Sequence, residues 1–122
     1  VSDQYREEEA NWLQQIVQSS EFKEAPLKIV ILHMPPVGSK WHGMNELNRL
    51  FLPILNKAGI DLMLCGHTHK YAFIEKGTEN NNFPILINSN VWRTDIKATS
   101  EGIQVTMVDA SGNITKTHSI NK

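Results

Sequence analysis

Residues 27–33, LKIVILH, decide the fold of this sequence. The run before the histidine is almost entirely aliphatic, without the polar alternation of a half-exposed strand, which is typical of a strand covered on both faces. The following residues 34–36, MPP, continue neither a strand nor a helix, because proline lacks the backbone donor and restricts the residue before it. The sequence therefore predicts a buried strand over 27–32, with His33 at its carboxyl end and a rigid loop over residues 34–39.

A second apolar run, residues 60–65, predicts another short buried strand, and Gly66-His67-Thr68-His69 follows it. Between the two strands, residues 44–57 carry apolar side chains at helical spacing, which predicts a helix weakened or kinked at its proline and ended by a glycine. An amphipathic helix is predicted over residues 4–17, with acidic residues near its start where the helix dipole favours them. A polar connector is predicted over 19–26.

The sequence changes character after the second histidine pair. Short apolar runs alternate there with turns rich in glycine and asparagine, which predicts strands over 71–74, 83–88, 103–108 and 114–118. Helix, strand, helix, strand and then a β-meander is an α/β arrangement, in which parallel pairing suits the first part and antiparallel pairing the last.

Composition excludes several classes of protein. The chain has 122 residues, enough for one domain, and 12 basic against 13 acidic residues, so it lacks the cationic excess of a nucleic-acid-binding protein. The lone Cys65 excludes a disulfide framework and a cysteine-based zinc site. We expect no membrane span, because no apolar stretch approaches the length that one needs.

Three histidines follow the two predicted strands: His33 ends the first, and His67 and His69 come after the second. Ligands and catalytic groups of open α/β sheets gather at the carboxyl ends of strands, so we expect the three rings to converge if the strands are neighbours. Such a cluster of imidazoles suits one or two divalent metal ions. Loop histidines without a ligand remain the alternative.

These motifs resemble a known family. Gly66–His69 after an apolar strand, with Ile31-Leu32-His33-Met34-Pro35 upstream, are similar to the last two of five motifs of the calcineurin-like metallophosphoesterases. The pair Trp12-Leu13 and His42, nine residues after His33, resemble the purple acid phosphatase branch. The resemblance implies a four-layer α-β-β-α sandwich, of which this chain would be the second half: a mixed sheet with two helices, followed by a β-meander.

The resemblance also implies a site and a reaction. His33 and His67 would bind one metal ion and His69 a second, while His42 would hold or protonate the phosphate ester. Two ions of iron, zinc or manganese would activate a water that hydrolyses the ester. Proteins of that branch are commonly exported, but the residues themselves indicate no localisation.

The family's other three motifs, Asp-x-His, Gly-Asp-x-x-Asp and Gly-Asn-His followed by Asp or Glu, have no counterpart in this sequence. They would carry the carboxylates that bridge and neutralise a metal pair. We therefore expect residues 1–122 to be the C-terminal portion of a metallophosphoesterase domain, inactive without its N-terminal half. An uncovered apolar sheet face around Ile29, Ile31, Leu62 and Leu64 would make the isolated chain a homodimer.

Two other functions compete with this hypothesis. A cupin-like protein with a single metal is suggested by His67, His69, Glu75 and Gly77, although the glutamate is misplaced and the predicted helices do not suit a β-barrel. A non-catalytic binding domain that keeps the half-fold is the second. For the remaining candidate residues we expect structural roles: tryptophans that pack in the core, a buried unreactive Cys65, and an exposed His118.

Overall fold

A computed structural model describes residues 2–38 and 41–122 of the chain. Residues 39 and 40 lie outside the described residues, and residue 39 is the last one of the loop predicted after His33. The described helices are α1 Ser2–Val17, α2 Ser20–Glu24, α3 His42–Leu50 and α4 Leu52–Asn56. The described strands are β1 Ile29–Ile31, β2 Leu62–Cys65, β3 Ala72–Ile74, β4 Ile85–Ile87, β5 Arg93–Thr99, β6 Gly102–Val108 and β7 Ile114–Asn121. Among these helices, none combines the length and the apolar character needed to cross a bilayer.

The first sheet has the strand order β1-β2-β4-β3. Strands β1, β2 and β4 are parallel, with Ile31 opposite Leu64 and Leu64 opposite Leu86, and β3 runs antiparallel to β4. The α/β class and the mixed sheet are as predicted, whereas residues 71–74 and 83–88 belong to this sheet and not to the meander. A mixed sheet with helices on one face is also incompatible with the cupin barrel.

The second sheet is the antiparallel meander β5-β6-β7. Strand β5 is absent from the predictions, because its exposed side is charged and its inner side carries only small or single apolar residues such as Thr94 and Ile96. The sheet packs on the first one: Ile103, Val105 and Met107 of β6 form one buried cluster with Leu62 and Leu86. The chain therefore has three layers, helices, sheet and sheet.

The helices cover the other face of the first sheet. A buried cluster there joins Leu47, Phe51 and Leu55 to Met63 and Ile85 of the strands. The predicted helix over 44–57 starts earlier, at His42, and breaks into α3 and α4 at Phe51, which leaves the proline within the first turn of α4 where its missing donor costs little.

The connector predicted over 19–26 is wrong, because a short helix α2 forms inside it. Ser19 caps this helix: its hydroxyl oxygen accepts a hydrogen bond from the Phe22 amide at 3.3 Å. A serine before a helix satisfies an otherwise unpaired amide of the first turn, which stabilises the helix in an otherwise polar segment. Because the segment is polar, it has no hydrophobic pattern from which this short helix could be predicted.

The prediction that β1 is covered on both faces is wrong as well. Strand β1 is an edge strand of the first sheet, and the Ile31 side chain is 75% exposed. On the same face of the sheet, Leu62 is fully buried under the chain's own meander. The apolar face expected around Ile29, Ile31, Leu62 and Leu64 is thus covered over β2 and left open over β1.

Candidate metal centre at the carboxyl ends of β1 and β2

Parallel pairing brings the ends of β1 and β2 together. The Leu32 amide donates to the Leu64 carbonyl, and the Gly66 amide donates to the His33 carbonyl, both at 2.9 Å. This register places the rings of His33 and His67 beside each other: His33 Nε2 and His67 Nδ1 lie 3.1 Å apart, with the ring planes at 88°. The predicted convergence therefore holds for these two histidines.

The loop after β2 has an unusual backbone. His67 and His69 both adopt positive φ, at 72° and 61°, in the left-handed region that residues other than glycine seldom occupy. Such strained residues cluster at functional sites, where the surrounding structure holds them in place. The two imidazoles thus extend from a tight turn, and His69 is exposed.

His69 does not complete a compact triad with His33 and His67. Within the described residues, the only three potential ligand side chains whose ligand atoms all lie within 4.8 Å of one another are those of Asp3, His42 and Glu46. The structure therefore assembles two of the three predicted metal ligands into a close pair and leaves the third farther out on the same loop.

His42 lies at the first position of α3, and its ring faces α1. Its Nε2 atom is 3.1 and 3.3 Å from the two carboxylate oxygens of Asp3. Arg6 donates to Asp3 at 2.9 Å, and Arg49 binds Glu46 at 2.8 Å. Two guanidinium groups thus already neutralise the carboxylates around His42, so this group is an exposed ion network and not a site for a cation.

Sequence reasoning missed one residue of the site. Trp41 stacks on His67, with ring centroids 5.1 Å apart and planes at 19°, and the indole is 57% exposed. The expectation that the tryptophans pack in the core fails for Trp41 and for Trp12, which is 60% exposed, and holds for Trp92, which packs between the sheets. The only signal in the sequence was the position of Trp41 directly before His42.

A cavity of about 440 Å³ adjoins His33, and both polar and apolar groups line it. Its walls include Ile31, Leu64 and Asn88. Within the described part of the chain, the buried oxygen Oδ1 of Asn88 has no hydrogen-bond partner, while its amide nitrogen donates to the Trp92 carbonyl at 3.1 Å. An unpaired buried acceptor is costly, so this cavity is suited to a donor group or a water.

Cys65 has the structural role that was expected. The residue is buried at the end of β2, and burial raises the pKa of its thiol to about 12, which a hydrogen bond with the Leu32 backbone only partly offsets. A thiol with that pKa is protonated at neutral pH and is a poor nucleophile. Cysteine chemistry therefore plays no part at this site.

His118 differs from the expectation of an exposed surface residue. It is half-buried, its ring stacks on Phe73 with centroids 3.9 Å apart, and its Nε2 atom hydrogen-bonds the hydroxyl group of Tyr71. Tyr71 lies just after the histidine loop, so β7 braces the segment that follows His69. The pairing could not be read from the sequence because 47 residues separate the two side chains.

A family model and a solved structure of another protein both match this chain. The family model for calcineurin-like phosphoesterases matches residues 2–71, more than half of the chain. A solved structure described as "GAP50 the anchor in the inner membrane complex of Plasmodium" superposes with a TM-score of 0.64 at 22% sequence identity. That match covers 90% of this chain but 41% of the other, and no curated protein matches the sequence. The chain belongs to the calcineurin-like phosphoesterase family.

Proposed function

We propose that this chain is the C-terminal half of a metal-dependent phosphoesterase, closest to the purple acid phosphatase branch, that hydrolyses phosphate esters. His33 and His67 hold one metal ion, His69 holds a second, and His42 contacts the substrate. One observation carries the proposal: the 3.1 Å separation between the ring nitrogens of His33 and His67. Trp12 on α1 and His42 on α3 support the assignment to that branch.

The donor set fits a metal. Two nitrogens bound to one tetrahedral zinc ion at 2.0–2.1 Å lie about 3.3 Å apart, close to the observed separation of the two ring nitrogens. Neutral imidazole suits zinc, iron and manganese. A metal pair, when bound, lowers the pKa of a water and stabilises the negative charge that develops on the ester oxygens.

The chain's own residues position the ester. The hydrogen bonds between β1 and β2 hold His33 and His67 in register. Asp3 accepts a hydrogen bond from Nε2 of His42 when that nitrogen carries a proton, which fixes the ring and leaves Nδ1 for the substrate. When both ring nitrogens carry protons, Nδ1 can donate a hydrogen bond to the phosphate or give its proton to the leaving oxygen, while Nε2 keeps its bond to Asp3.

The carboxylates of a two-metal centre must come from elsewhere in the domain. The chain spans 41% of the length of the solved structure that it resembles. The groove of about 270 Å³ between α1 and β1 is lined by Trp12, Leu13 and Ile31, so both the helix layer and the sheet end on exposed apolar side chains. These features support a missing N-terminal half that lies against the β1 edge.

The same edge supports a homodimer of the isolated chain. The Lys28 carbonyl accepts from the Asp61 amide directly before β2, and the Leu32 amide donates to Leu64 of β2. Because alternate residues face opposite sides along a strand, the amides of Ile29 and Ile31 point to the open edge. An open edge next to exposed apolar side chains favours pairing with another strand. Hydrogen exchange at these two amides should slow as the chain concentration rises, and concentration-independent fast exchange would contradict the dimer.

A second candidate is a non-catalytic domain that keeps the half-fold. The relative with the solved structure is described as an anchor, and the phosphoesterase fold therefore occurs in a protein named for attachment. Bound metal distinguishes the two candidates, because an anchor needs no metal pair.

A phosphatase assay tests the proposed function. The isolated chain should hydrolyse a chromogenic phosphomonoester negligibly with zinc, iron or manganese, because half of the expected ligands are absent. The complete domain should turn the same ester over, and His67→Ala should abolish this activity while His118→Ala should largely retain it. A complete domain without activity, or activity that survives His67→Ala, would contradict the proposal.

A further inference from the structure

Trp41 has a position that core packing does not explain. The residue directly precedes α3, and its indole lies nearly parallel to the imidazole of His67 while keeping 57% of its surface in solvent. A tryptophan normally buries most of its large apolar area. The indole instead stands at the rim of the candidate metal centre, one residue before His42.

The two elements that flank the indole are themselves held in place. Its stacking partner His67 lies on a tight turn whose first amide, that of Gly66, is bonded to the His33 carbonyl. On the other side of Trp41, helix α3 is tied to the loop after β1, because the Asn48 amide donates to the Pro36 carbonyl at 2.9 Å. A flat apolar surface fixed by its neighbours binds a ligand ring with little loss of side-chain freedom.

We propose that Trp41 is a stacking platform for the organic group of the substrate, so that the site prefers phosphate esters whose flat aromatic ring is held at a distance from the phosphate, as the base of a nucleotide is. The inference rests on the proposed function, because it assumes that the phosphate binds beside His33 and His67. Stacked rings lie 4.5–7 Å apart, so a ring on the indole would lie about 10 Å from the His67 imidazole. A nucleotide bridges that span when its phosphate binds at the histidines.

A nucleotide supplies such a ring at that distance, because its ribose separates the base from the phosphate, whereas in phenyl phosphate a single oxygen joins the ring to the phosphate and the ring cannot reach the indole. Both present a π-face, and stacking on an aromatic side chain accepts every base. Ribose 5-phosphate carries the same phosphate and a sugar, but no aromatic ring that could stack. The three esters therefore separate the contribution of stacking from that of phosphate binding.

The first test observes the indole directly. In the 122-residue chain labelled with 15N at its indoles, adenosine 5′-monophosphate at millimolar concentration should shift the Trp41 N–H resonance, and phenyl phosphate and ribose 5-phosphate should shift it far less. We expect the nucleotide to bind about 5- to 100-fold more tightly than ribose 5-phosphate. Trp41→Phe should keep part of this preference and Trp41→Ala none, while Trp12→Ala, which removes a similarly exposed indole, should keep all of it.

The second test uses the complete domain, in which other residues could cover the indole. There Trp41→Ala should lower kcat/KM for the nucleotide and leave the values for phenyl phosphate and ribose 5-phosphate largely unchanged. An unshifted Trp41 resonance, or an equal loss for all three esters, would overturn the inference. Zinc titration of the histidine ring resonances is independent of these readouts, so a failure of the metal proposal is recognised separately.

Discussion

Leu62→Ala and Ile31→Ala together test how the layers of this chain are arranged. The two residues lie on neighbouring strands and share one face of the first sheet, since Ile31 pairs with Leu64, two residues after Leu62. Leu62 is fully buried beneath β6, whereas Ile31 is 75% exposed at the sheet edge. Truncation to alanine should therefore lower the free energy of unfolding far more at Leu62 than at Ile31.

The size of each effect follows from burial. Removing three carbons from fully buried Leu62 forfeits about 2.4 kcal/mol of transfer free energy at about 0.8 kcal/mol for each carbon. The cavity left between the sheets adds to this, which brings the expected loss to about 3–4 kcal/mol. Ile31→Ala should cost no more than about 1 kcal/mol, because an exposed edge position loses little beyond strand preference.

Urea unfolding followed by circular dichroism and by tryptophan fluorescence measures both losses, since Trp92 packs in the affected cluster. Equal losses for the two variants would refute the arrangement in which the meander covers β2 and leaves β1 open. In the complete domain, Ile31→Ala should become several-fold more costly if another strand covers this edge. An unchanged cost there would remove the support that the β1 edge gives to a missing half.

Two further predictions concern stability. Burial lowers the pKa of His118, a shift to which Lys116 adds and which Glu75 opposes, so the unfolded chain binds the proton at a higher pH than the folded chain does. The free energy of unfolding should therefore fall as the pH drops below about 6.5. In urea unfolding at several pH values, the His118→Gln variant should lose less stability over that range. Asp61 accepts a hydrogen bond from the Lys28 amide at 2.8 Å, so Asp61→Ala should cost about 1–2 kcal/mol by the same method and Asp61→Asn clearly less; equal losses would contradict a role for this bond.

Sequence pattern located the strands that form the site because those strands are strongly apolar. The runs over 27–32 and 60–65 predicted β1 and β2, and the histidines that follow them predicted the meeting of His33 and His67. That prediction needs only the parallel pairing of two neighbouring strands, whose carboxyl ends then meet at one edge.

The errors have physical causes that sequence periodicity does not carry. The hydrophobic pattern of an apolar strand does not show whether another element covers that strand, so the exposure of Ile31 could not be predicted. Strand β5 was not predicted because its outer face is charged. Contacts between distant segments, such as Trp41 on His67 and Asp3 on His42, depend on how the helices pack against the sheet, which the spacing of residues along the chain does not specify.

Metal analysis of the complete domain tests the central claim most directly. If His33 and His67 share one ion and His69 holds the other, the purified protein should contain two metal ions per chain by elemental mass spectrometry. His67→Ala should lose at least one of them, and His118→Ala, which alters a histidine outside the site, should lose none. A protein that contains no metal, or a His67→Ala variant that retains both ions, would contradict the claim that these histidines form the metal centre of a phosphoesterase.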